Sequence, residues 1–119
     1  MPVQALPPHR IMLTSAGHFV YVLPPGVTSV ELLSGSFTPL GDGRKLGACL
    51  TSLALDGIPV ALDRPMLASG FHALEERDTT LSRWTDGIGV LIMPASPTER
   101  VLEIGIAHVI RSLETDARG

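Results

Sequence analysis

Apolar residues in this chain come in short runs, and Gly or Pro closes nearly every run. "LPP", "LPPGV", "FTPLGDG", "LDGIP", "LDRP", "TDG" and "MPASP" read as turns or loops. Between them lie stretches rich in Val, Ile and Leu, the pattern of short strands in a sandwich or barrel. The strands predicted are "RIMLT", "HFVYVL", "VTSVELL", "LGACLTSLAL", "IPVAL", "LSRWT", "IGVLIMP" and "RVLEIGIAHVI". In "HFVYVL", period-two alternation puts Phe19, Tyr21 and Leu23 on one face and His18, Val20 and Val22 on the other. Pro59 in "IPVAL" argues for a sheet edge. "LSRWT" and "IGVLIMP" flank Asp86 and Gly87, so the pair reads as a hairpin with "TDG" as its turn. In the last strand Leu102, Ile104, Ile106, His108 and Ile110 share a face; Glu103, Gly105, Ala107 and Val109 take the other. The one helix candidate is the tail "IRSLETDARG", which is expected to fray. The whole predicts an all-β, jelly-roll-like sandwich of about eight strands, in a single domain over 1–119 with its core at about 10–113.

Composition narrows the function classes. A chain of 119 residues buries roughly two-thirds of its unfolded surface, so it needs neither disulfide nor metal to fold. The net charge is -3 and the basic residues are scattered, which argues against nucleic acid, since phosphate binding needs a basic stripe. Cys49 is the only cysteine, so nothing demands an oxidising compartment. The N-terminus lacks a signal-peptide pattern, and no apolar run is long enough for a membrane-spanning helix. A soluble, cytoplasmic protein is the expectation.

Candidate chemistry is sparse. His9, His18, His72 and His108 are widely spaced, without the paired histidines and glutamate of a cupin metal site, so no metal and no cofactor is expected. There is no nucleophile elbow, P-loop or dinucleotide-binding glycine motif. Cys49 lies in an apolar strand and reads as a buried thiol. Gly41 and Gly43 in "GDGRKLG" suit positive φ, in a solvated turn. The run Glu75, Glu76, Arg77, Asp78 reads as a solvated loop, because adjacent carboxylates do not face each other across a cleft. His108 reads as a core or rim histidine. Trp84 has two readings: a core tryptophan between sheets, or an aromatic platform for a sugar ring.

"VELLSGSFTPLGDGRKLGACLTSLALDG" and the segments after it carry a family resemblance. The pieces are Ser34 to Pro39, Asp42 to Gly57, Gly70 to Glu75, Arg83 to Pro94 and Leu102 to Ile104, spanning about Val27 to Ile110. They resemble small β-sandwich regions appended to bacterial Hint-domain (hedgehog/intein-like) proteins and lying beside α-proteobacterial glycosyltransferases. The chain lacks the N-terminal Cys or Ser block of Hint self-cleavage. It also departs from the pattern between Glu75 and Trp84, where "ERDTTLS" is longer and more charged. The resemblance implies a non-catalytic, all-β module associated with surface polysaccharide or protein processing.

The expectation is therefore a non-catalytic, carbohydrate-associated module, not an enzyme. Phe71, His72, Arg83, Trp84 and Asp86 are its candidate ligand-binding residues and a glycan is its candidate partner. The high apolar fraction and unprotected strand edges also suggest a homo-oligomer. The alternatives are an oligomeric interaction scaffold and, less favoured, a small cupin-like metal-dependent sugar enzyme.

Overall fold

The structure is a computed structural model and describes residues 6–111. Nine strands follow in chain order: β1 His9–Met12, β2 Gly17–Leu23, β3 Ser29–Leu33, β4 Ala48–Leu55, β5 Ile58–Pro59, β6 Leu67–Phe71, β7 Glu75–Arg77, β8 Thr80–Ile92 and β9 Arg100–Val109. They make one mixed sheet, ordered β1-β3-β8-β4-β9-β2, curled until it is nearly barrel-shaped. No helix is present among the described residues, so the all-β class expected from the turn-punctuated pattern is what the chain adopts. One pair, β1 with β3, is parallel, and β8 serves both layers. Among the described residues no helix is long and apolar enough to cross a membrane. Apart from Ile110 and Arg111, the expected C-terminal helix falls outside the described residues.

The core follows from alternation. Val30 and Leu32 of β3, Leu91 of β8, Ala48, Leu50 and Leu53 of β4, and Leu102, Ile104 and Ile106 of β9 all point inward. In β2, Leu23 is buried and Phe19 and Tyr21 pack against the core, while Val20 and Val22 are exposed, as the period-two reading requires. Burying a Leu or Ile side chain stabilises by roughly 1.5–3 kcal/mol, so this interlayer cluster supplies the main driving force.

Two hairpins show what a turn needs. At Asp56-Gly57 both residues take positive φ (54° and 78°), and Leu55 pairs with Ile58. This two-residue turn joins β4 to β5, which is confined to the sheet edge as Pro59 suggested. The second expected "DG" turn is a correction. Asp86 and Gly87 lie inside the continuous strand β8, not at a hairpin. Gly87 takes φ 114°, and Asp86 Oδ1 accepts a hydrogen bond from the Ile88 amide (3.1 Å), so "TDG" bends the strand. The actual second hairpin lies earlier. Of the "solvated loop" at 75–78, Glu75–Arg77 is strand β7, which pairs with Thr80–Ser82 of β8. Its turn residues Asp78 and Thr79 both have positive φ (51° and 65°). Strand β6 was likewise not legible as a strand.

The bend in β8 changes its neighbour. Residues 83–84 pair with β4, and 88–92 pair with β3. The hinge is Thr85, which is fully buried. Its Oγ1 accepts hydrogen bonds from the Ala48 amide (3.0 Å) and the Gly87 amide (3.2 Å). Its carbonyl accepts one from the Gly47 amide (2.8 Å). Gly47 and Gly70 pack so closely that a Cβ at either would overlap backbone of β8. Replacing Thr85 with Val keeps the shape but strands two buried amides, at a cost of about 1–3 kcal/mol. Thr85→Val is therefore expected to lower the urea midpoint with the all-β circular dichroism kept; an unchanged midpoint would show the hydroxyl to be dispensable.

Candidate functional site

The sheet carries a cleft of about 800 Å³ on its outer side. Its floor is built by cross-strand register. Cys49 on β4 pairs with Trp84 on β8 at one side and with His108 on β9 at the other. Strands flanking a common neighbour lie about 10 Å apart. The Trp84 and His108 rings nevertheless stack, with centroids 6.1 Å apart and planes 6° from parallel. They therefore lean toward each other over Cys49, which is 5% exposed. Burial pushes the Cys49 thiol up, the reverse of what an activated nucleophile needs.

Two sequence expectations change here. Trp84 is not a core tryptophan, because β8 turns Thr85 inward and Trp84 outward. His108 does not share the face of Leu102, Ile104 and Ile106. The β4–β9 register slips between Cys49 and Leu50, where Ile106 pairs with Leu50 and His108 with Cys49. That bulge takes up Ala107, sends Val109 toward the core and leaves His108 exposed.

The rim is charged. Thr80 and Ser82 continue the Trp84 face of β8, and Glu75 and Arg77 stand opposite them on β7. Arg44, from the Gly41–Gly43 turn, ties the rim together. Its Nη1 donates to Glu75 Oε2 (2.6 Å), and its Nε donates to Asp42 Oδ1 (2.7 Å). The hydrogen bond from Arg44 holds the Asp42 carboxyl below the usual carboxylate range, although Asp42 is open to water.

The sequence-derived candidates divide between the two sides of β8. Trp84 lines the cleft; Phe71, His72, Arg83 and Asp86 do not. Arg83 lies over the Phe71 ring (5.4 Å), and Phe71 packs against the core. The Arg83 guanidinium donates to the carbonyls of His72 (2.6 Å) and Leu62 (2.8 Å). The His72 amide donates to the Trp84 carbonyl (2.9 Å), and its ring Nε2 donates to the Lys45 carbonyl (2.6 Å). These residues lock β6 and the 42–46 turn against β8, and Asp86 shapes the bend. Cleft residues not singled out as ligands in the sequence include Asp42, Arg44, Glu75, Arg77, Ser82 and His108. Only alternation around Trp84 pointed to Ser82; the others are brought in by the 41–43 turn, the β7–β8 hairpin and the β9 bulge. Among the described residues no three His, Cys, Asp or Glu side chains converge as metal ligands.

No protein-family model, curated protein or solved structure matches the chain. The cleft's chemistry is therefore read from its own geometry.

The sign of the Asp42 effect is testable. A carboxyl with a depressed folded-state pKa contributes stability that is full above its unfolded value and is lost as pH falls through the folded one. The Asp42 carboxyl signal in an NMR titration is expected to move below the usual Asp range in the parent. In Arg44→Ala it should return toward about 3.9, the ordinary value. Equal midpoints in parent and variant would dissolve the Arg44–Asp42 link.

Proposed function

We propose that this chain is a non-catalytic, carbohydrate-associated module that binds a glycan in the Trp84 cleft. The observation that carries the reading is the position of Trp84. A large aromatic is turned out of the core into a concavity walled by carboxylates, a guanidinium and hydroxyls. Pyranose faces stack on aromatic rings while sugar hydroxyls pair with planar polar groups, so these two chemistries side by side suit a sugar. The carboxylates, Arg44 and Ser82 replace His72, Arg83 and Asp86 as the proposed polar partners, and Phe71 leaves the aromatic set. The resemblance to modules beside polysaccharide-handling enzymes points the same way. The raised Cys49 thiol favours binding over catalysis.

A second reading, a homo-oligomeric interaction scaffold, has its own support. Strand β2 ends the strand order, runs seven residues and exposes Val20 (59%) and Val22 (57%). Free edges of this kind recruit further strands unless they are guarded. On the other layer Met12, Leu33 and Ile88 are cross-strand neighbours, and Met12 (64%) and Ile88 (54%) lie open.

A glycan array followed by affinity measurement tests the first reading. Trp84→Ala is expected to weaken any hit by at least about tenfold, or about 1.4 kcal/mol. Asp86→Ala, outside the cleft, should bind as the parent does. A blank array, or a Trp84→Ala variant that stays folded and binds normally, would reject it. Light scattering separates the second reading: a multimer that Val20→Lys returns to monomer mass supports it, and a monomer at high concentration removes it.

A further inference from the structure

We propose that two copies of this chain pair antiparallel through β2 about a two-fold axis at Val20, which sets both Trp84 clefts on one side of the dimer; the inference rests on the scaffold reading above. Among the described residues β2 pairs only with β9, over the whole of Gly17–Leu23 and without a bulge. Its other edge is therefore straight, and the amides and carbonyls along it are offered to a further strand.

That edge carries none of the usual guards. Exposed edges are blunted by shortness, charge, proline or a bulge. "GHFVYVL" holds no Lys, Arg, Asp, Glu or Pro, and Pro24 comes only after its end. His18 is turned to Glu103 of its own chain (3.6 Å). Strand β1, at the opposite end of the strand order, is built the other way. It has four residues and shows Arg10, ion-paired with Glu31 (3.0 Å). One open edge and one guarded edge suit a closed pair, β2 to β2, and not a filament running β1 to β2.

The side chains of β2 complement themselves about Val20. Pairing centred there uses all seven residues, whereas an axis at Phe19 or Tyr21 leaves the end of each strand unpaired. On the outer face Val20 meets its copy and Val22 meets His18, so the exposed valines (59% and 57%) close into one apolar strip. On the inner face Phe19 meets Tyr21 twice, a stabilising cross-strand combination. No like charges come face to face. A foreign strand would have to be uncharged over the same length, a condition that a second copy already meets. Directly opposed residues of antiparallel strands point to the same side. Val20 lies on the outer face, as the cleft does, so both clefts open on one side of the extended sheet. Such a dimer can grip a ligand displayed repeatedly on a surface at two points.

Light scattering and two cysteine variants test the pairing. The whole chain is expected to show twice its monomer mass. In V20C the introduced thiols face each other, their Cβ atoms about 5 Å apart and near disulfide geometry. In V22C the two copies are offset by about four residues, or roughly 14 Å along the strands, which is out of reach. Cys49 is buried and should not link. Oxidised glutathione is expected to convert V20C, and not V22C, to a linked dimer on a non-reducing gel, with the circular dichroism of the parent kept in both. A multimer in which V22C links as readily as V20C, or in which neither links, overturns the Val20 axis and leaves the scaffold reading standing. A monomer at high concentration removes the scaffold reading, and this inference with it.

Discussion

The crossing of β8 between its two neighbours is the constraint on which the rest depends. A strand cannot leave one partner for another without exposing amides at the crossover, and a buried amide without a partner costs about 1–3 kcal/mol. Here the Thr85 hydroxyl accepts the Ala48 and Gly87 amides, and the Thr85 carbonyl takes the Gly47 amide. The crossover is satisfied from within. Because it is, β3 and β4 can both lie along β8 and the sheet can curl toward closure. The glycines around it have steric reasons of their own: a side chain at Gly47 or Gly70 would collide with β8.

The candidate site follows from the same crossover. Thr85 must face inward to fill its role, so Trp84, the residue before it, must face out. Cys49 is held opposite Trp84 by the β4 pairing and opposite His108 by the β9 pairing. The bulge at Ala107 then brings the two rings over one thiol. The aromatic floor is thus a product of hydrogen-bond register, and its two rings come from strands far apart in sequence. The charged rim depends on a different element, the β7–β8 hairpin, which hangs on the N-terminal end of the same strand.

Two of the three "DG" pairs in this chain met different fates, and the comparison explains where local reading stops. Asp56-Gly57 follows Leu55 and precedes Ile58, which pair with each other, so the dipeptide's preference for positive φ is used for a turn. Asp86-Gly87 has neighbours already committed elsewhere. Thr85 pairs with Phe71, and Ile88 pairs with Leu33. The same preference becomes a bend, with only Gly87 at positive φ. Asp78-Thr79 makes the missing turn despite lacking glycine, because β7 and β8 must pair across it. Tertiary pairing overrode turn chemistry twice within ten residues.

Alternation and punctuation by themselves determined the all-β class, the position of most strands, the inward set on β2 and on β9 up to Ile106, the edge role of Pro59 and the burial of Cys49. Those properties depend on period-two side-chain direction and on Gly and Pro backbone limits, which are local. Only the tertiary structure decided that Trp84 faces a cleft and that His108 meets it. It alone decided that Glu75 reaches Arg44, and that Phe71, His72, Arg83 and Asp86 act as braces of the fold. Those outcomes depend on which strands lie side by side and where a bulge shifts the register by one residue. A one-residue shift exchanges the faces of a strand, and no periodicity within the strand itself records it.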